Sequence, residues 1–446
     1  MLSDEYPPLF NRKIYVMTNR LRHIFECSDH ITEKQYRNSR ALFILDGCAS
    51  TQIFTVTSGA FLSGLAYLVG AGTALTGVIA ALPTLMNTVQ IFSSVIYENR
   101  TGSKRITVEF ALIQRLCLIM MLFVPTFMLG TKISVAMIAV LYSSAHFCGA
   151  FINTGANNWL ISLVKNERLG RYLGLKDSLT LVASTGGSLI LSKILDSYRF
   201  ADSEIMGFRV IGTLCVCICV IDIICLTLIR EPKNVKHMEP LNIRKAIQMP
   251  LMDQNYHNVL IFFLLWSIAS NFASPFFSIY MLENLELSYF HITSMNMIAS
   301  VVRIAASNLW GKSADSCSWK LVTLGSIYML GLAYIGWGLL TKENCSYWLP
   351  IVQAVSGAAW GGISIATFRM QFAFAPVEHR ISYVSFCSTM VGFVGFFSSM
   401  LGSAFVAWAE NIRILNIRMD NIQLVFILSA AGVIASALYS RKIKEK

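Results

Sequence analysis

Apolar residues come along this chain in long blocks separated by short clusters of charged and small polar residues. The blocks run to roughly 20–30 residues, and a helix rising 1.5 Å per residue needs about 20 to cross about 30 Å of hydrocarbon. Segments such as Val210 to Ile229 show none of the apolar–polar alternation of a membrane β-strand, so helices are predicted rather than a barrel. They fall at 41–67, 72–96, 106–130, 133–163, 171–198, 205–229, 255–283, 289–310, 319–340, 346–374, 381–409 and 420–440, spans 1 to 12 in chain order. The first 40 residues are mostly polar and do not form a basic region, apolar stretch and cleavage site, so no removable signal peptide is expected.

The longest interior stretch between spans, 230–254, is basic and polar and leaves six spans on either side. Four regions are therefore expected: a cytoplasmic or interfacial N-terminal extension, 1–40; an N-terminal six-helix bundle, 41–229; a cytoplasmic linker, 230–254; and a C-terminal six-helix bundle with a short basic tail, 255–446. In the extension Ile14, Met17, Leu21, Ile24 and Phe25 recur at helical spacing, with Arg12, Lys13, Arg20 and Arg22 interleaved. That pattern suits a helix lying on the inner membrane surface or packed on the bundle.

Composition agrees: 55% of the 446 residues are hydrophobic and 14% charged, against about 25% charged in ordinary soluble domains, and the mean hydropathy is +0.57. The net charge of +11 could suggest nucleic acid, but the positive residues are spread over loops between apolar helices. Most of the 36 Lys and Arg lie on the side that carries both termini; the opposite side holds Lys132, Lys193, Arg199, Arg209, Lys342, Arg413 and Arg418. Positive loops stay in the cytoplasm, so a multi-pass protein of the cell membrane with both termini cytoplasmic is expected, with membrane lipids rather than nucleic acid as partners. Most of the 11 cysteines lie inside spans as small apolar side chains. In Cys215-x-Cys217-x-Cys219 only the outer two share a helix face, without histidine or carboxylate company, so no metal site is expected.

The halves share landmarks. The loop after span 4 reads Glu167-Arg168-Leu169-Gly170-Arg171-Tyr172 and the loop after span 10 reads Glu378-His379-Arg380-Ile381-Ser382-Tyr383, each ahead of an apolar helix. Between spans 8 and 9 stands Gly311-Lys312-Ser313-Ala314-Asp315-Ser316-Cys317-Ser318-Trp319-Lys320, with an acid four residues after the glycine and a base five beyond it. Between spans 2 and 3, Glu98-Asn99-Arg100-Thr101-Gly102-Ser103-Lys104-Arg105 keeps acid, glycine and bases with one extra residue of spacing. On these loops and the parallel repeat, the sequence from about Asn38 to Tyr439 resembles the major facilitator superfamily. Ser274-Pro275-Phe276-Phe277-Ser278-Ile279-Tyr280-Met281-Leu282, followed by Leu285 and Leu287, is similar to a broad bacterial branch of it. Where drug/proton antiporters of the superfamily carry a Gly-Pro motif in span 5, this chain has Ala183-Ser184-Thr185-Gly186-Gly187-Ser188, without proline.

The resemblance implies an all-α integral membrane fold of twelve transmembrane helices in two six-helix bundles. It implies a small-molecule substrate moved by alternating access, with H+ or Na+ as the coupling ion; a monomer is expected. It further implies that Glu98 and Asp315, with Arg100 and Lys320 close by, hold helix ends together on the cytoplasmic side and part when access changes.

Charges inside the spans need compensation, because a lone Arg or Asp at mid-helix costs about 2.5–3.5 kcal/mol on insertion scales. Arg303, about 20 Å along span 8 from its outer end, faces either the central cavity or an acid of its own bundle. The second-half spans offer no acid except Glu283 at an outer end, which favours the cavity. Asp46 and Arg369 occupy the inner thirds of spans 1 and 10, which line the cavity if the resemblance holds. They form an inter-bundle gate pair or reach separately for interfacial water. Arg115 and Asp222, at similar depth on peripheral spans, read as a structural ion pair. Gln52, His146, Asn153, Asn271 and Trp360 sit near mid-depth on lining spans and join Arg303 as candidate substrate-binding residues. His146 either carries a coupling proton or is a hydrogen-bonded structural histidine. Trp360 and Tyr280 either stack on substrate or pack.

No HExxH, GxSxG or GxxxxGK[ST] motif is present, so no catalytic residue, cofactor or metal is expected and an enzyme is disfavoured. The sequence also has no repeated filter segment of a channel. Secondary transport is expected, with export of a small amphiphilic compound as the first reading, because the cavity should hold few fixed charges. Ion-coupled uptake of a polar or anionic nutrient, with Arg303 as the anion partner, and lipid flipping are the alternatives.

Overall fold

The structure is a computed structural model and describes residues 32–98, 102–164, 166–232, 243–316, 319–376, 380–409 and 420–443. Ten of its helical segments, corresponding to spans 2–7 and 9–12, are long and apolar enough to cross a membrane. Span 1, as Glu33–Thr55 and Gly59–Leu68, and span 8, as Tyr289–Ser316, complete the set. Span 1 is broken at 56–58, and span 8 carries Asn296, Ser300, Arg303 and Asn308, which lower its apolar content. The proposed interfacial helix around Ile14–Phe25 lies outside the described residues.

Local chemistry sets several boundaries. Thr32 and Gln35 cap each other reciprocally, so the first helix starts at Glu33, ahead of the expected 41. Asp253 accepts from the amides of Asn255 and Tyr256 and opens span 7. Pro275 cannot donate to the helical ladder, and the helix Gln254–Ala273 stops before it. The chain resumes as Phe276–Ile279 and a π-helical turn, Tyr280–Asn284. There the Tyr280 hydroxyl donates to Leu340 O at 2.6 Å, and the Gln423 amide donates to the same carbonyl.

Packing repeats with a shift of six spans. Span 1 lies against spans 5 and 6, span 3 against 4 and 6, and span 2 against 4. In the second half span 7 lies against 11 and 12, span 9 against 10 and 12, and span 8 against 10. Between the halves span 2 meets span 11 and span 5 meets span 8, two contacts that the same shift exchanges. The landmark tyrosines explain part of this repeat. Tyr172 Oη donates to Arg40 O of span 1 at 2.8 Å, and Tyr383 Oη reaches Asp253 Oδ2, the cap of span 7, at 3.2 Å and Met249 O of the preceding linker helix Ile243–Met252 at 3.3 Å, so each ties its helix to the start of the bundle's first span.

One buried apolar cluster runs through both halves, including Ile53, Phe61, Phe276, Tyr289 and Phe426. Large apolar side chains also cover outward faces, as Leu112, Leu116 and Met120 do on span 3 and Val216, Val220, Ile224 and Leu228 on span 6. Such faces are at rest only against lipid. Twelve spans are expected to return both chain ends to one side, which the distribution of positive charge makes the expected inner side.

Candidate functional site

A cavity of about 300 Å³ lies in the second half. Span 8 contributes Asn296, Ala299, Ser300 and Arg303 to it, and span 10 contributes Gln353, Ser356, Gly357 and Trp360. Both sets fall at i, i+3, i+4 and i+7, one stripe of a helix each. The stripes approach closely because Gly357 has no side chain: a Cβ there would collide with the Ala299 backbone. Gln353 Nε2 donates to Asn296 Oδ1 at 3.1 Å across the gap. Arg303 is exposed to this cavity, and no carboxylate among the described residues pairs with it. Ser356 Oγ is buried without a partner among the described residues, and Trp360, 37% exposed, meets Trp266 edge to face. The wall thus offers a cation, an amide pair, a hydroxyl and an indole.

A second cavity, of about 450 Å³, lies in the first half and extends to Asp46, Lys176 and Leu160 in the inner parts of spans 1, 5 and 4. His146, Gly149, Ala150 and Asn153 line it from span 4. The His146 ring packs edge to face on Phe54 and Tyr142, with Nε2 unpartnered among the described residues. Arg115 Nε donates to Asp222 Oδ2 at 2.9 Å, the expected ion pair between spans 3 and 6, and Arg115 also reaches Gln114 Oε1. Asp46 faces this pair within its own bundle.

The bundles are bridged on the side away from the described chain ends, the expected outer side. Asp196, at the outer end of span 5, accepts from the backbone amides of Tyr289 and Phe290 at 2.8 Å each and so caps span 8 across the two bundles. Glu204 accepts from Tyr289 Oη at 2.8 Å, the Arg199 guanidinium lies over the Tyr289 ring, and Phe61 stacks on it at 5.5 Å. On the same face Lys342 Nζ donates to Glu286 Oε1 at 2.6 Å, which holds the Glu286 carboxyl below its usual range.

The structure brings Arg303 and Trp360 together in one cavity and His146, Asn153 and Asp46 in the other. Two expected binding residues turn elsewhere. Gln52 Nε2 donates to Ser188 Oγ at 3.3 Å, because Gly187 leaves room for the amide against span 5. Asn271 Nδ2 donates to Ser267 O and Oγ and fills the space beside Gly395 of span 11. Asp46 looks to Asp222 and Arg115 instead of across the bundles; the Arg369 side chain lies outside the described residues. So do Arg100 and the side chains of Glu98 and Asp315. Lys320 Nζ donates to Arg441 O at 2.8 Å. Sequence reasoning missed Asn296 and Gln353, each two helical turns before a residue it chose, and that spacing was the available signal. It also missed Asp196 and Glu204, whose partners are distant in the chain.

Two six-helix bundles packed by the same scheme, with a cavity in each and a seal on one side, define the architecture of a secondary transporter. The family model of the major facilitator superfamily matches residues 42–348, and the chain belongs to that superfamily. A search of curated proteins gives no significant match. Among solved structures the chain is similar to the nucleoside transporter NupG, with a TM-score of 0.66, 12% identity, and coverage of 92% of this chain and 100% of that one. It is also similar to a D-xylose-proton symporter, with a TM-score of 0.66, 12% identity and coverage of 92% and 97%. A bacterial homolog of the human lysosomal transporter Spinster, inward-facing and unoccupied, aligns with a TM-score of 0.57, 12% identity and coverage of 92% and 94%.

Proposed function

We propose that this transporter moves a small polar solute with an anionic group by alternating access, in symport with a cation, and that the sealed outer side makes the present state inward-facing. The observation that carries the reading is Arg303: a guanidinium at mid-membrane depth, exposed to a cavity and without a carboxylate partner among the described residues. A cation left unpaired at that depth is costly unless a ligand or water neutralises it. Asn296, Gln353 and Ser356 add hydrogen-bonding groups and Trp360 adds a stacking surface, which favours a polar solute over the amphiphile expected from an apolar cavity. The nucleoside transporter and the D-xylose symporter among the similar folds also carry polar solutes, as their names state.

The two bundles, 41–229 and 255–446, rock as units joined by 230–254. Asp315 and Glu98, with Arg100, Lys320 and Arg369, hold the inner side in the outward-facing state. The protein resides in the cell membrane with both ends in the cytoplasm.

The test is flux into proteoliposomes of the purified protein, using a labelled panel of small carboxylates, phosphorylated solutes, neutral sugars and nucleosides, amphiphilic dyes and labelled lipid. Transport of an anionic solute is expected. Arg303→Lys keeps the charge without the planar fork and should lower transport moderately; Arg303→Met should lower it by roughly ten- to a hundredfold, the loss of charge-assisted hydrogen bonds. Equal flux in wild type and Arg303→Met, or transport of dyes or lipid alone, would sink the reading.

A further inference from the structure

Asp46 and Asp222 come from the first and last spans of the N-terminal bundle, and their side chains meet within hydrogen-bond reach. Both are buried: Asp46 is 8% exposed and Asp222 is 0% exposed. Asp222 Oδ2 is taken by Arg115 Nε at 2.9 Å. The remaining Asp222 Oδ1 and Asp46 Oδ1 are both buried and receive no hydrogen from any donor among the described residues. Two ionised carboxylates bring only acceptors to such a contact, and like charges this close repel strongly in a medium of low dielectric. A single proton between the oxygens removes both problems: it turns one acceptor into a donor and leaves one negative charge for one guanidinium.

We infer that Asp46 and Asp222 form a carboxyl–carboxylate pair that holds one exchangeable proton, oriented by Arg115 and reached from the inner side through the first-half cavity. Asp46 and Arg115 line that cavity together with Lys176. The other ionisable groups around the pair are Tyr172 from span 5 and Cys219 and Cys225 from span 6, while His146 borders the same cavity from span 4. Lys176 reaches toward Asp46 from span 5 with its ammonium over the Phe43 ring, a cation ready to stabilise the site once the proton has left. A metal ion is a poor occupant. It needs more oxygen ligands than two facing carboxylates supply, and no group of three or more His, Cys, Asp or Glu suited to a metal exists among the described residues.

The proton's role in driving transport rests on the reading of this chain as a cation-coupled symporter; its presence between the two acids does not. Loss of the proton leaves two negative charges facing one Arg115, and the pair must then separate or draw Lys176 closer. Span 1 and span 5 would move with it, and span 5 carries the Asp196 seal at its outer end. Proton occupancy beside Lys176 of span 5 thus biases the contact that Asp196 makes at the other end of that helix.

The experiment is infrared spectroscopy of the purified full-length protein, titrated with acid and base alone, in H2O and D2O. Wild type minus Asp46→Asn should show a protonated-carboxyl C=O band at neutral pH that shifts in D2O and disappears on alkaline titration. Asn at 46 can donate its amide hydrogen to Asp222 in the proton's place, so the variant should fold. Asp222→Asn should lose the same band, and its thermal stability provides the check on folding. No such band in either difference spectrum, at any pH where wild type is folded, would overturn the shared proton. Dependence of the band on NaCl against choline chloride at fixed pH would overturn it in favour of a sodium site. For coupling, spin labels at Asp202 and Lys342 across the outer mouth should report a pH-dependent distance in wild type and a pH-independent one in Asp46→Asn. A band present with no pH effect on the labels in wild type would overturn the coupling alone. An absence of solute flux with the band intact would remove the transport reading and leave the proton site standing.

Discussion

Asp196 bridges the two bundles, on the expected outer face, with two oxygens. Each of them accepts a backbone amide at the start of span 8, where the helix leaves its first amides unsatisfied and its dipole favours an anion. Asp196→Ala would strand both donors in a buried place and remove roughly 1–3 kcal/mol from the outward-closed state. That is about a 5- to 150-fold shift in population toward outward-open. Spin labels at Asp202 and Lys342 should then report a longer distance, while Asp196→Asn, which keeps one acceptor, should give an intermediate result. Identical distances in wild type and Asp196→Ala would show that Tyr289 stacking closes the face without the acid. At this scale Arg303 and Trp360 could be chosen from the sequence because depth along one helix sufficed. Gln52 and Asn271 could not, since each amide is turned by a glycine on a neighbouring helix, Gly187 and Gly395.

Among the elements, span 11 comes close to the other bundle at Gly392. A Cβ there would sit 2.5 Å from Thr84 O and 3.1 Å from Asn87 Cβ of span 2, and one turn away Thr389 Oγ1 donates to Thr88 O at 3.3 Å. The backbone of span 2 is irregular at this place, with Pro83 followed by a 3-10 turn at Asn87–Val89, so the two helices meet where span 2 is already bent. Gly392→Ala has no room unless spans 2 and 11 part, and overpacking of this kind costs typically about 1–3 kcal/mol. A lower unfolding temperature in detergent is expected, with a further fall for Gly392→Val. Unchanged melting for both variants would mean that the spans separate freely here and that the contact contributes little. The spans themselves were legible as blocks, because length and apolarity are properties of one segment. The breaks in spans 1 and 7 were not, although Pro275 marked the second; nor was the early start at Glu33, which the Thr32–Gln35 cap sets.

For the whole molecule the six-span shift is the organising fact. Tyr172 and Tyr383 were visible as matching landmarks in two loops, and their shared task of tying spans 5 and 11 to the starts of spans 1 and 7 required coordinates. The relation between the bundles was less legible still, because contacts such as Asp196 with Tyr289 join residues far apart in the chain. Orientation is the opposite case: its expectation rests on where Lys and Arg fall along the chain, since translocating clusters of positive charge is unfavourable. The loops on the side of both ends hold most of the 36 positive residues, including Arg244 and Lys245 in the linker helix, whereas the turn at 199–204 between spans 5 and 6 holds only Arg199. A reporter active only in the cytoplasm should therefore give signal when fused after Lys446 or inserted within 230–254, and none when inserted within 199–204. Insertion at 199–204 disturbs the Asp196–Tyr289 seal, so the glycosylation or cysteine-labelling state of a single residue placed at Asp202 supplies the independent check. Signal at 199–204 with silence at both other sites would reverse the orientation, and with it the assignment of the sealed face as the outer one.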